Sequence, residues 1–196
     1  MIVPELDARP VIVAVAGPNG AGKSTFIQLF LAESGLRVIN ADDIARELQI
    51  SVYEAAGLAD AFRRYLVERR ESFIFETVLS DPVGAKVDFL SEAATRGYNV
   101  VLCFIGIPGA ETSEQRVAVR VSRGGHDVPR EKLISRYPRT LANLKIAIQK
   151  LPYVLVYDNT DSSEPFREVA KFENGRAVHL SEPTPVWMQR AVEGRP

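Results

Sequence analysis

Cysteine is almost absent from this chain, and with one thiol no internal disulfide can form. Cys103 lies within Val100-Val101-Leu102-Cys103-Phe104-Ile105, where it reads as a small buried hydrophobe. No apolar stretch approaches the roughly 18 residues of a membrane span. Pro4, Glu5 and Asp7 stand where a signal peptide would need basic and then apolar residues, so the expectation is a cytoplasmic protein with no membrane partner. An excess of one charge is lacking too: 24 Lys and Arg face 25 Asp and Glu, for a net charge of −1. That balance provides no field to gather nucleic acid or anionic lipid. Internal repeats and low-complexity tracts are missing, and 196 residues suit one α/β domain spanning 1–196.

What is present is an alternation of short β-rich runs with helical patterns. Strands are expected at 11–16, 36–40, 73–76, 99–106 and 153–157, with helices at 23–33, from 42 to 71, at 82–96, 110–123 and 130–150. Gly35 and Gly97 close helices just before Val38 and Val100 begin new strands. The strands are apolar runs instead of alternating patterns, as in a parallel sheet covered on both faces. The expected fold is a three-layer α/β fold of P-loop NTPase type with a mostly parallel five-stranded sheet. Asn174-Gly175 between two β-like runs marks a small C-terminal hairpin at about 168–182, read as an edge appendage. The last residues, ending Gly194-Arg195-Pro196, read as a loosely held tail. Pro138 within 130–150 predicts a bend.

Directly after the first apolar run comes Gly17-Pro18-Asn19-Gly20-Ala21-Gly22-Lys23-Ser24-Thr25. Glycines at this spacing let backbone N–H groups curl around phosphate at the start of a helix. Lys23 reaches the β- and γ-phosphates, and the Ser24 hydroxyl is a ligand for Mg²⁺. The segment predicts bound ATP and Mg²⁺.

In an open parallel sheet the ligand lies beyond the carboxyl ends of the strands. Asn40-Ala41-Asp42-Asp43, Glu76-Thr77 and Asp158-Asn159-Thr160 follow strands there. Asp42 and Asp43 suit either catalysis or helix capping. Glu76, between Phe75 and Thr77-Val78, is expected to be partly buried and to need a partner. Phosphoryl transfer to a hydroxyl would use one such carboxylate as proton acceptor. Arg116, Arg120 and Arg123 recur at i, i+4 and i+7 on a helix without a dense apolar stripe, which predicts either a lid at about 110–130 closing over phosphates or a solvated stripe. Arg136 is a second candidate clamp. His126 suits either a catalytic base or a turn histidine held by Asp127, and His179 reads as structural.

Taken in order, residues 17–25, Asn-Ala-Asp-Asp-Ile-Ala (40–45), Phe-Glu-Thr-Val-Leu-Ser (75–80), Gly-Gly-His-Asp-Val-Pro (124–129), Arg-Tyr (136–137) and Tyr-Asp-Asn (157–159) resemble the zeta-toxin family of kinases over about 10–160. The likeness is to its compact branch, often labelled predicted ABC-type ATPase. The resemblance implies transfer of the γ-phosphate of ATP to a sugar hydroxyl of a nucleotide sugar such as UDP-N-acetylglucosamine, and a possible antitoxin protein as partner. It also implies site roles. Lys23 and Ser24 match the ATP and Mg²⁺ residues, with Asn159 a further nucleotide contact. Asp42 matches the proton acceptor, and Glu76 and Thr77 the substrate-holding pair. Two phosphate-clamping arginines fall among Arg120, Arg123 and Arg136. The segment 44–71 is shorter than in the large toxins and no sugar-binding extension follows Gly84, which leaves another small hydroxyl acceptor open. An ABC ATPase shares the loop wording but would need a Leu-Ser-Gly-Gly-Gln segment, which is missing. A non-catalytic nucleotide-binding regulator would not need both Asp42 and Glu76.

Overall fold

In the computed structural model, residues 8–125 and 127–193 are described. The first strand, β1 (Val11–Ala16), is buried at every position and lies between β3 (Phe73–Thr77) and β4 (Asn99–Gly106), parallel to both. The short β2 (Arg37–Ile39) pairs with β3, and β5 (Tyr153–Asp158) pairs with β4, also parallel. Alternate residues of β1 feed different cores. Ile12, Ala14 and Ala16 face one, and Val11, Val13 and Val15 the other, which is why the strand is an unbroken apolar run.

On the first face pack α3 (Val52–Glu68), α4 (Ala85–Thr95), α6 (Arg130–Lys150) and α7 (Val186–Glu193), contributing Leu66, Leu90, Leu144 and Trp187. On the second lie α1 (Lys23–Phe26) and the π and 3-10 turns continuing it to Ser34, with Phe26, Ile27 and Leu31 buried. The expected helical stretch from 42 to 71 is two helices, α2 (Ala41–Leu48) and α3, the latter opened by a capping box of Ser51 and Glu54. The helix α5 (Ala110–Ser122) follows β4, and α6 runs through Pro138 as one helix.

Two expectations are corrected. The sheet has seven strands, in the order β2-β3-β1-β4-β5-β6-β7, because the hairpin joins it. Its first arm, β6 (Arg167–Glu173), is antiparallel to β5 and buries Val169, Ala170 and Phe172, while β7 (Arg176–Leu180) forms the exposed edge. Asn174 and Gly175 take φ of 48° and 79°, the two positive values that a tight hairpin turn requires. The chain after the hairpin leads through 181–185 into the helix α7, held by Trp187, Met188 and Ala191 at 5% exposure or less. Residues 194–196 of the expected tail lie outside the described residues, as does His126.

Candidate active site

Between β1 and α1 the loop can be made only with glycine at its first position. Gly17 has φ of 143°, and a Cβ there would sit 2.1 Å from the Ile105 carbonyl oxygen. Gly22 caps α1 in a left-handed conformation with φ of 92°. The ring closes internally through Ala21 N–H to Pro18 O at 3.2 Å. Its tip, Gly20, packs on α5, where a Cβ would lie 3.0 Å from Arg116 Cβ and 3.2 Å from Ser113 O.

Lys23 is 6% exposed. Its Nζ donates to Pro18 O at 3.1 Å and lies 3.7 Å from Glu76 Oε1. Burial lowers its pKa, opposed by the charges of Glu76 and Asp42 and reinforced by Arg120. Ser24 Oγ donates to Glu76 Oε2 at 2.7 Å, and Asn40 Nδ2 reaches the same oxygen at 3.3 Å. Asn40 also caps α2, its Oδ1 accepting from Asp42 N–H at 2.9 Å. The cap is therefore Asn40 and not Asp42 or Asp43. Asp43 instead pairs with Arg46 at the surface, while Asp42 is exposed and lines the cavity.

That cavity, of about 520 Å³, extends from Asn19, Gly20 and Lys23 past Asp42, Glu76 and Thr77 to α3 and α6. Its volume is within the usual range for a small-molecule site. Lys23, Arg63, Lys86, Arg120, Lys132, Arg136 and Arg139 line it, against Asp42, Glu76, Asp81 and Asp127. A chain with almost no net charge has thus gathered cations at one place. Arg63 is 5% exposed, paired with Asp60, and burial lowers its pKa to about 10. The loop after β3 is fixed from behind by α6: Thr140 Oγ1 donates to Val78 O, and Asn143 Nδ2 to Leu79 O and Asp81 O. Asn19 Oδ1 is buried without a hydrogen-bond partner on the cavity wall, a polar atom left for a ligand.

The model for the Zeta toxin family matches residues 3–169. The chain belongs to the Zeta toxin family. An uncharacterized protein of Haemophilus influenzae is 28% identical over 126 residues, 62% of this chain and 88% of that protein. Among solved structures, the AvrRxo1-ORF1:AvrRxo1-ORF2 complex with sulphate ions aligns over 98% of this chain and 68% of its own, with TM-score 0.65 and 18% identity. A native form of that complex aligns with TM-score 0.67 over 96% of this chain at 18% identity, and this chain spans only 66% of that one. The PezAT toxin-antitoxin system of Streptococcus pneumoniae aligns over 97% of this chain and 81% of its own, with TM-score 0.57 and 13% identity. At these identities the structural likenesses establish a shared fold.

In this zeta-toxin fold the expected residues separate. Lys23, Asp42, Glu76, Thr77, Arg120 and Arg136 line one cavity, and Ser24 joins them through its hydrogen bond to Glu76. Thr77 Oγ1 also accepts from Leu79 N–H at 3.1 Å, fixing the turn after β3. Arg123, the C-cap of α5, is exposed and does not line the cavity, and Thr25 faces solvent. Gly17 and Pro18 are buried behind the loop. Asn159 lies behind it as well, with Nδ2 donating to Ala21 O at 2.9 Å. Arg116 is not aimed at the cavity but ties three backbone carbonyls together, those of Gly20, Asn159 and Thr160. His179 is exposed on β7. Reading the sequence missed Asn40 as the residue joining Asp42 to Glu76. It also missed Lys132 and Arg139, although their i, i+4, i+7 spacing with Arg136 was available as a signal.

Proposed function

We propose that this zeta-toxin family protein is an ATP-dependent kinase that transfers the γ-phosphate of ATP to a sugar hydroxyl of a nucleotide sugar such as UDP-N-acetylglucosamine. The observation that carries the reading is one cavity with Lys23, Ser24 and Glu76 at the phosphate loop and Asp42 on its wall. The surplus of cations lining the rest of that cavity suits an acceptor that is itself an anion. Family membership supports the phosphotransferase class.

Lys23 Nζ and the loop N–H groups would hold the β- and γ-phosphates, with Arg120 and Arg136 facing the same space. Ser24 Oγ and the Glu76 carboxylate are hard oxygen donors that fit a hydrated Mg²⁺ held mainly by phosphates and water. Among the described residues no group of three or more His, Cys, Asp or Glu forms a dedicated metal cage. When bound, Mg²⁺ neutralises phosphate charge and aligns the transferred group. Asp42 would accept the proton of the acceptor hydroxyl as its oxygen bonds to the γ-phosphorus and the bond to the β,γ-bridging oxygen breaks, releasing ADP. Asn40 holds Asp42 through its backbone while contacting Glu76, so base and phosphate site move together.

The test is mass spectrometry of protein, MgATP and a panel of UDP-sugars, with Asp42→Asn alongside. A single added phosphate on UDP-N-acetylglucosamine, lost in the variant, is the expected result. Phosphorylation retained by Asp42→Asn would overturn the role of Asp42. Bound ATP with no UDP-sugar product would overturn the acceptor class and redirect the search to other nucleotides and small polyols. An antitoxin partner belongs to the same proposal, supported by the toxin-antitoxin system among the structural neighbours. Growth arrest on expression, relieved by co-expressing the adjacent gene, is the outcome expected for it.

A further inference from the structure

Residues beyond 169 fall outside the family match, yet one of them packs against the turn that supports the nucleotide loop. The end of β5 alternates across the sheet: Asp158 points to the face that carries α7, and Asn159 to the face that carries the loop. Trp187 of α7 is 4% exposed and donates from Nε1 to Asp158 Oδ1 at 2.8 Å. Thr160 Oγ1 donates to the same oxygen at 2.6 Å, and Arg167 lies 3.9 Å from Oδ2. Asp158 is 8% exposed, so these donors hold a carboxylate that is largely shielded from water.

One residue further on, Asn159 N–H donates to Gly106 O at 3.0 Å and its Nδ2 to Ala21 O. The Trp187 indole lies flat against Gly106: a Cβ there would be 2.0 Å from Cη2, although Gly106 has no positive φ that calls for glycine. The glycine is there for the ring. The indole therefore meets the nucleotide loop's support by two routes, through Asp158 and through Gly106, and both end at Asn159.

We infer that Trp187 is a positioning residue for nucleotide binding: it locks the 158–160 turn, and Asn159 and Arg116 carry that position to Ala21 and Gly20. The inference rests on the reading of the loop as an ATP site. It assigns the C-terminal helix a task in MgATP affinity as well as in stability.

The experiment is calorimetric titration of MgATP into the 196-residue protein well below its melting temperature. Trp187→Phe keeps most of the ring packing and removes the N–H; Gly106→Ala keeps the N–H and displaces the ring. Each should weaken MgATP binding about tenfold, the change corresponding to ~1.4 kcal/mol. Their combination should be little worse than either alone, because both act on one contact. Leu90→Ala, a core truncation on α4, a helix that makes no hydrogen bond to this turn, should lower the melting temperature and leave MgATP affinity unchanged. Unchanged affinity in both Trp187→Phe and Gly106→Ala, or an equal loss in Leu90→Ala, overturns the positioning role. Absence of MgATP binding by the unaltered protein overturns the ATP-site reading itself, a distinct result.

Discussion

At the residue scale, Lys23 shows how a site residue works against stability. Its pKa is lowered by burial, so in the folded state it binds its proton less tightly than in the unfolded chain. Below the folded pKa the charged lysine is a full cost, and the cost is relieved as pH rises toward the ordinary value of 10.5. Lys23→Met should therefore raise the melting temperature of the nucleotide-free protein by about 2–4 °C, the shift given by ~1 kcal/mol in a domain of this size, and abolish MgATP binding. Glu76 keeps Ser24 and Asn40 as donors in that variant, so no buried acceptor is orphaned. Differential scanning calorimetry from neutral to alkaline pH checks both the sign and the loss of slope. Asn40→Ala removes the α2 cap, with an expected cost of about 1 kcal/mol. It should also lower kcat more than it raises KM for ATP, because Asp42 loses its anchor; Asn40→Ser should restore much of the stability. Lys23, Ser24, Asp42 and Glu76 were legible in the sequence because each directly follows an apolar strand or sits in the glycine loop. Arg116 was misread because spacing on a helix gives a face, but not the backbone carbonyls that the face will meet.

At the scale of elements, the loop between β1 and α1 depends on a glycine with no room for a side chain. Gly17→Ala should destabilise the protein by about 3 kcal/mol or more, from left-handed strain added to the collision with Ile105 O. A urea midpoint shift at unchanged slope would confirm it; an unchanged midpoint would refute the packing described. Strands β1, β4 and β5 were readable as apolar runs because both of their faces are buried, whereas β2, exposed at Arg37 and Val38, was readable from Gly35 before it. The hairpin's turn was readable in Asn174-Gly175, but not its place in the sheet, since pairing with β5 depends on contacts distant in sequence. The helix α7 was missed for a further reason. It is short, it follows Pro183 and Pro185, and its apolar set of Trp187, Met188 and Ala191 gives too brief a period to stand out. Removing residues 181–196 should cost about 3 kcal/mol or more, the amount that loss of one buried tryptophan alone gives. Thermal melting of the shortened chain measures it.

For the whole molecule, the cavity draws its walls from α1, α2, α3, β3, α4, α5 and α6, so occupancy should register as global stability. MgATP at 100 times its Kd should add about 2.7 kcal/mol, a rise in melting temperature of roughly 5–10 °C for a domain of this size. Lys23→Met should show no such rise. The sheet order has a consequence for how the protein comes into being. The interior strand β1 is made first, yet both of its neighbours, β3 and β4, come much later in the chain. Asn159 and Trp187, which close the loop from behind, come later still. The phosphate loop thus rests on pairings distant in sequence, which must form before it has a support. Translation products that stop before β5 would lack both Asn159 and Trp187, and with them the footing on which nucleotide capture depends.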